Sequence, residues 1–188
     1  MLASGSGTIL QAILDAALPV AVVVVDRPCA ATGRAETAGV PVEIVERTSF
    51  GPEFDRVAYT QRVVQALERH DVDLIALAGF GTVLDVPIHD AFPDRIVNTH
   101  PALLPAFKGW HAVEDALAAG VKVTGWTAHV ATLEVDDGPI LAQEAVDVLD
   151  GDTVETLHER IKAVERRRYP QVLRQLLERA EHEEVEAR

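Results

Sequence analysis

A chain of 188 residues that is 48% hydrophobic and 25% charged has the makings of one globular domain, residues 1–188, with a substantial core. It holds no apolar run of the roughly 18 to 20 residues that span a bilayer, which argues against a membrane protein, and its net charge of −13 argues against nucleic acid, whose phosphates are gripped by clustered Lys and Arg. A single cysteine, Cys29, excludes an intrachain disulfide and any multi-cysteine metal site, and with no basic, apolar leader after Met1 the expected compartment is the cytoplasm.

In chain order, residues 1–7 (MLASGSG) read as the end of a strand and a glycine turn, and residues 8–17 as a helix. The loop Ser4-Gly5-Ser6-Gly7-Thr8 has glycines that admit close backbone approach, hydroxyls that donate, and a helix N-terminus behind it, as a phosphate cradle requires. Such a loop should follow a buried strand of about five residues. Only Met1, Leu2 and Ala3 precede it, so the first strand is either truncated or begins upstream of the recorded start.

Residues 20–25 are a β-branched run suited to a strand covered on both faces. A short helix over 32–38, a strand over 42–45 and a helix with apolar spacing over 54–69 follow. Then come a buried strand over 74–78, the turn Gly79-Phe80-Gly81, a short helix over 86–92 and the strand that carries Asn98 and His100. Alternation of this kind predicts a mostly parallel, twisted α/β sheet with helices on both faces. Beyond a helix over 112–119, the strand-like runs 122–130 and 140–148 are joined by a loop with no room for a crossover helix, which predicts an antiparallel hairpin at the sheet edge. The last element is an amphipathic helix over 153–179, broken or kinked at Pro170 and frayed beyond Arg179.

The chemistry gathers at residues 96–109, IVNTHPALLPAFKG, where a β-branched run stops in polar groups. Asn98 and His100 are two apart, so an extended backbone points both to one side. They also sit at the strand's C-terminal edge, where ligands bind in open α/β sheets. An amide and an imidazole aimed at one spot can hold a carbonyl oxygen while its carbon is attacked; equally, they can tie down a loop. On the hairpin, LEVDDGP places Asp136 and Asp137 ahead of a Gly-Pro turn. A carboxylate beside His100 would favour the charged ring, a donor to a developing oxyanion, and would relay a proton through water. As plain turn residues the two aspartates would do neither, and sequence spacing does not choose between these readings.

The segments SGSGTILQAILDA, LIALAGF, NTHPALLPAFKG, GWTAHV, DDGPILAQ and ERRRYP, in this order over residues 2–170, closely resemble the phosphoribosylglycinamide formyltransferase family of purine biosynthesis. The resemblance implies a Rossmann-like formyltransferase fold. It implies transfer of a formyl group from 10-formyltetrahydrofolate, as cosubstrate, to the amine of glycinamide ribonucleotide, without a metal or a covalent enzyme intermediate. It assigns catalysis to Asn98, His100 and Asp136, and substrate binding to Ser6, Gly7, Thr8, Ile9 and Glu165. The folate falls to Phe80, Val83, Leu84, Val130 and Asp136.

His129 matches a family histidine near the site and is equally at home as a structural strand residue. Trp110 and Trp126 read as packing or shielding groups, and His111 either lines the entrance or does not. His70, His89, His158 and His182 receive no function. Two positions depart from the family pattern: Ile9 stands where Asn is frequent, and Gly81-Thr82 where Met-Arg is frequent, which removes a guanidinium from the folate side. A monomer or homodimer is expected. Competing readings are a formyltetrahydrofolate hydrolase or another formyltransferase and, from a different class, a non-catalytic folate- or nucleotide-binding relative.

Overall fold

Five short strands run parallel: β1 (Leu2–Ala3), β2 (Val23–Val25), β3 (Val42–Ile44), β4 (Ile75–Ala76) and β5 (Ile96–His100). Two longer ones, β6 (Val123–Val130) and β7 (Ile140–Asp147), continue the sheet antiparallel. These strands and six helices belong to a computed structural model that describes residues 1–186. A parallel bridge between Leu2 and Leu77 joins β1 to the end of β4, so the order across the sheet is β3-β2-β1-β4-β5-β6-β7. The strand order reverses between β1 and β4, and a crevice opens there above the strand ends.

Alternation along the strands sorts the core into two layers. Ala3, Val23 and Val25 pack with Leu10 and Ile13 of α1 (Thr8–Asp15) and with Leu157, Ile161 and Tyr169 of α6 (Val154–Glu186). Leu2, Val22, Val24, Ile75 and Ile96 face the other way, onto Tyr59, Val63 and Leu67 of α3 (Arg56–Glu68) and Ile88 of α4 (Val86–Ala91). The remaining helices are α2 (Ala30–Thr37) and α5 (Ala112–Ala118). No helix among the described residues is long and apolar enough to cross a membrane.

The structure corrects several boundaries. The strand read over 20–25 is confined to Val23–Val25, because pairing to β3 starts where Val23 N–H donates to Pro41 O (2.9 Å) and Ala21 is exposed. The strand read over 74–78 shrinks to Ile75–Ala76, beside a β1 of two residues. The Met1 amine is buried and donates to Val22 O (2.8 Å), and loss of hydration pushes its pKa down to about 5.

Pro170 neither ends nor splits α6, which runs through it and past Arg179 to Glu186. An interior proline costs about 3 kcal/mol in a helix, and local anchoring offsets that cost. Tyr169, fully buried, donates its hydroxyl to Val97 O (2.8 Å) and Leu77 O (3.1 Å), while Val172 and Leu173 fill the core one turn on.

Candidate active site

Asn98 and His100 leave the C-terminal end of β5 on one side, as their spacing predicts. Across the ladder, Asn98 is paired in register with His129 of β6. The Asn98 Nδ2 group lies 3.1 Å from His129 Nε2 and 3.5 Å from Asp136 Oδ1. The other ring nitrogen of His129, Nδ1, sits 2.9 Å from Val130 O. A carbonyl only accepts, so Nδ1 carries a proton, and Nε2 lies between Asn98 Nδ2 and Asp136 Oδ1, the latter 3.4 Å away.

His100 is held between two acceptors. Its Nε2–H donates to Phe107 O at 2.7 Å, and its Nδ1 lies 3.3 Å from Asp136 Oδ2. A ring with N–H on both nitrogens satisfies both. Asp136 is 8% exposed. Burial alone would raise its pKa, but the hydrogen bond to His129, the Gly109 N–H at 2.8 Å and the neighbouring imidazoles outweigh burial and hold the carboxyl below its ordinary value.

The β6–β7 hairpin brings Asp136 to this point. Its base closes where Val130 N–H donates to Pro139 O (2.9 Å). Asp136 itself adopts a left-handed backbone with φ 55°, a conformation Asp tolerates better than most residues. Gly138 leaves room for the chain to fold back: a Cβ there would lie 1.8 Å from Val130 O. Asp137, by contrast, points out and pairs with Lys108, which lowers its pKa.

A cavity of about 610 Å³ runs past these groups. Its wall includes Ser6, Gly7, Thr8 and Ile9, then Phe80, Val83 and Leu84, together with Asn98, His100, Asp136 and Glu165. Gly7, in the left-handed region at φ 68°, occupies the N-cap of α1 without a side-chain acceptor for the first-turn amides. A Cβ on it would meet Ala31 Cα at 2.7 Å. Val130 does not line the cavity; its neighbours His129, Ala131 and Thr132 do. Cys29 sits at the N-cap of α2, half-buried.

The wall also holds residues that were given no role from sequence. His158 and Lys162 stand two turns and one turn before Glu165 in a row on α6, and His89 comes from α4. The spacing 158, 162, 165 is that of one helical face, a signal present in the sequence once the helix is accepted. Glu165 keeps part of its surface open to the cavity, yet desolvation there pushes its pKa up to about 7, against the opposing effects of Thr99, Lys162 and Arg166. Trp126 is fully buried, as a packing residue, whereas Trp110 stands exposed at the cavity rim and His111 points to solvent off the wall.

A second cleft, of about 540 Å³, adjoins the first and shares Thr82, Val83 and Trp110 with it. Arg47 lies in this cleft between Phe50 and Phe54, with ring centroids at 4.4 and 4.3 Å, and donates to Gly81 O and Thr82 Oγ1, both at 3.3 Å. A guanidinium thus reaches the Gly81-Thr82 turn from the end of β3. Sequence reading alone missed it because Arg47 is remote from the turn in the chain.

A sequence model of the family described as formyl transferase matches residues 1–173. The phosphoribosylglycinamide formyltransferase of Mycobacterium tuberculosis (strain ATCC 25618 / H37Rv) is 51% identical over 172 residues, covering 89% of this chain and 79% of that protein. Among solved structures, a glycinamide ribonucleotide transformylase 1 from Symbiobacterium toebii superposes with a TM-score of 0.86 at 45% identity, over 92% of this chain and 84% of that one. A phosphoribosylglycinamide formyltransferase from Bacillus halodurans gives 0.88 at 41%, over 95% and 94%. Likeness of sequence and of shape thus extend over the same stretch of chain, cavity walls included: the chain belongs to the formyl transferase family.

Proposed function

We propose that the protein transfers the formyl group of 10-formyltetrahydrofolate to the amine of glycinamide ribonucleotide. The observation that carries this reading is the convergence of Asn98, His100 and Asp136 on one cavity that an uncapped helix start and the apolar side chains of Phe80, Val83 and Leu84 also line. The ribonucleotide phosphate docks on the amides of Ser6 to Ile9, where the backbone serves even though residue 9 is Ile. Glu165 accepts from the acceptor's ribose hydroxyls, and Phe80, Val83 and Leu84 hold the folate ring system.

The amine nitrogen attacks the formyl carbon, and negative charge develops on the formyl oxygen. Asn98 Nδ2 and protonated His100 donate to that oxyanion, with His100 Nε2–H exchanging Phe107 O for it. Asp136 stabilises the charged ring and, through water, passes the proton lost by the attacking amine to the departing folate nitrogen. Arg47, in the second cleft and hydrogen-bonded to the shared Thr82, receives the carboxylate tail of the folate.

Incubation with glycinamide ribonucleotide and 10-formyltetrahydrofolate tests the reading directly: formylated ribonucleotide should accumulate in step with deformylated folate. Folate deformylation at an undiminished rate without the amine would instead establish a hydrolase. For the tail site, Arg47→Ala should raise KM about tenfold for glutamate-bearing formyl folate. It should leave KM for the corresponding formyl pteroate, which lacks glutamate, within about twofold. Equal losses on both would assign Arg47 to loop support alone.

A further inference from the structure

The loop between β1 and α1 is gripped from the side away from the cavity. Ala31 N–H, in the first turn of α2, donates to Gly5 O at 3.2 Å. One turn on, the Arg34 guanidinium donates through Nε to Ser6 O at 2.9 Å and through Nη1 to Gln11 Oε1 at 3.1 Å. No residue of α2 lines the cavity, whereas Gly5, Ser6 and Gly7 all do. Two successive carbonyls of the loop are therefore turned backwards, onto α2.

A planar trans peptide sets its N–H opposite its C=O. Both peptide bonds here are trans, so with Gly5 O and Ser6 O drawn to α2, Ser6 N–H and Gly7 N–H stand on the cavity side. Neither amide has an acceptor among the described residues. The two donors lie directly ahead of the first-turn amides of α1, an arrangement that receives an anion.

The loop's own composition does not hold it in this state. Glycines flank Ser6, and a peptide between such permissive residues turns over readily. A reversed Ser6–Gly7 peptide would put Ser6 O where phosphate oxygens approach and would take Gly7 N–H away. Arg34 opposes that reversal, and its own place is fixed twice. Gln11 Nε2 donates to Asp15 Oδ1 at 2.9 Å, which leaves Gln11 Oε1 to face the guanidinium, a group that only donates. The stem of Arg34 also lies against the loop: a Cβ on Gly7 would come within 3.1 Å of Arg34 Cδ.

We propose that Arg34 is a positioning residue for the ribonucleotide phosphate, which it never touches: by holding Ser6 O against α2 it keeps the Ser6 and Gly7 amides presented to the anion. The proposal rests on the reading above only in taking the phosphate to dock on this loop. A lysine in place of Arg34 keeps the charge and one donor for Ser6 O but has no planar fork to span Ser6 O and Gln11 Oε1 together. An apolar side chain of similar length keeps the packing and loses both bonds.

The test uses the full chain with Arg34→Met, Arg34→Lys and Gln11→Ala. Without any substrate, the carbonyl carbon-13 resonance of Ser6 should move upfield in Arg34→Met as its hydrogen bond is lost. Inorganic phosphate, titrated at constant ionic strength and followed at the amides of Gly7 and Thr8, should bind about tenfold more weakly to Arg34→Met, the scale of a lost bond from a charged donor. Arg34→Lys should recover to within about threefold of wild type. The KM for glycinamide ribonucleotide should rise by the same factors, with kcat and the KM for the formyl folate changed less than about twofold. At about 1 M salt, where the Debye length is about 3 Å, the ratio between Arg34→Met and wild type should persist.

A ratio that collapses to one in high salt would make Arg34 a through-space charge and overturn the positioning role. Phosphate affinity within twofold of wild type in Arg34→Met overturns it as well, whether or not the Ser6 resonance moves. If Arg34→Met does not fold, Gln11→Ala decides: it should weaken phosphate by about threefold, and wild-type affinity there defeats the proposal. The phosphate titration needs no turnover. A protein that failed to formylate the ribonucleotide would thus defeat the functional reading and leave Arg34 to be judged by its own measurement.

Discussion

His100→Ala and Asp136→Asn should each lower kcat/KM for formyl transfer by about a thousandfold, the scale of a lost oxyanion donor or general acid–base. The two losses have one origin. His100 bridges Phe107 O and the Asp136 carboxylate, and Asp136 is the one anion against its Nδ1. Removal of the ring deletes the donor to the developing charge. Neutralising the carboxylate leaves a ring with no charge to stabilise its protonated form, and the water relay loses its base. Groups that work as a unit are not additive, so the double variant should lie within about tenfold of the worse single one.

Steady-state kinetics with both substrates measures this, and activity retained within tenfold of wild type in either single variant would remove Asp136 and His100 from the chemistry. The pH dependence has a definite sign. The Asp136 pKa is held below its ordinary value, so the group contributes stability above the ordinary carboxylate pKa. That contribution is lost as pH falls through the lower folded value. Between pH 5 and 8, then, the Asp136 carboxylate should contribute no inflection to kcat.

The second large effect comes from a residue with no functional group. Gly138→Ala places a methyl carbon 1.8 Å from the carbonyl oxygen of Val130, a distance at which backbone, and not a side chain, has to move. Val130 is pinned by Pro139 O through its own N–H and by His129 Nδ1 through its carbonyl. The turn from Val135 to Gly138 gives way instead. Overpacking of this kind costs about 1–3 kcal/mol, which in a chain of this size lowers Tm by roughly 3–10 °C. Activity should fall further than stability, to a few per cent or less, because displacement of the turn draws the Asp136 carboxylate off Gly109 N–H and away from His100. Differential scanning calorimetry and kinetics on one preparation separate the two, and a Gly138→Ala protein with wild-type Tm and activity would show that the turn does not fix Asp136.

Legibility from sequence followed the range of the contacts. Asn98 and His100 share one short strand, and the two-residue period alone predicts that they face one way, as observed. Asp136 lies on a hairpin whose position depends on the order of strands across the sheet, so no local pattern brings it to His100; the family resemblance did. Residues 158, 162 and 165 form a helical row that a long amphipathic helix makes readable, whereas Arg47 reaches Thr82 only because β3 and β4 end at the same edge. Pro170 was misjudged because helix propensity is local and the hold of Tyr169 on two strand carbonyls is not. Strand lengths were overestimated for a similar reason: hydrophobic runs mark burial, while pairing stops where the neighbouring strand ends.

The join between β1 and β4 has a mechanical meaning. Between β1 and β4 the sheet is sewn by Ala78 N–H to Leu2 O and Ser4 N–H to Gly79 O, both 3.2 Å, whereas β6 and β7 pair along almost their whole lengths. The sheet therefore has a seam, and the loops that embrace the cavity grow from opposite banks of it: Ser4 to Gly7 from β1, Gly79 to Leu84 from β4. A molecule bound from one loop to the other sutures the two halves. At a hundred times its Kd such a ligand adds about 2.7 kcal/mol to the folded state, and amide exchange along Leu2, Ala78 and Ser4 is where that gain should be read first.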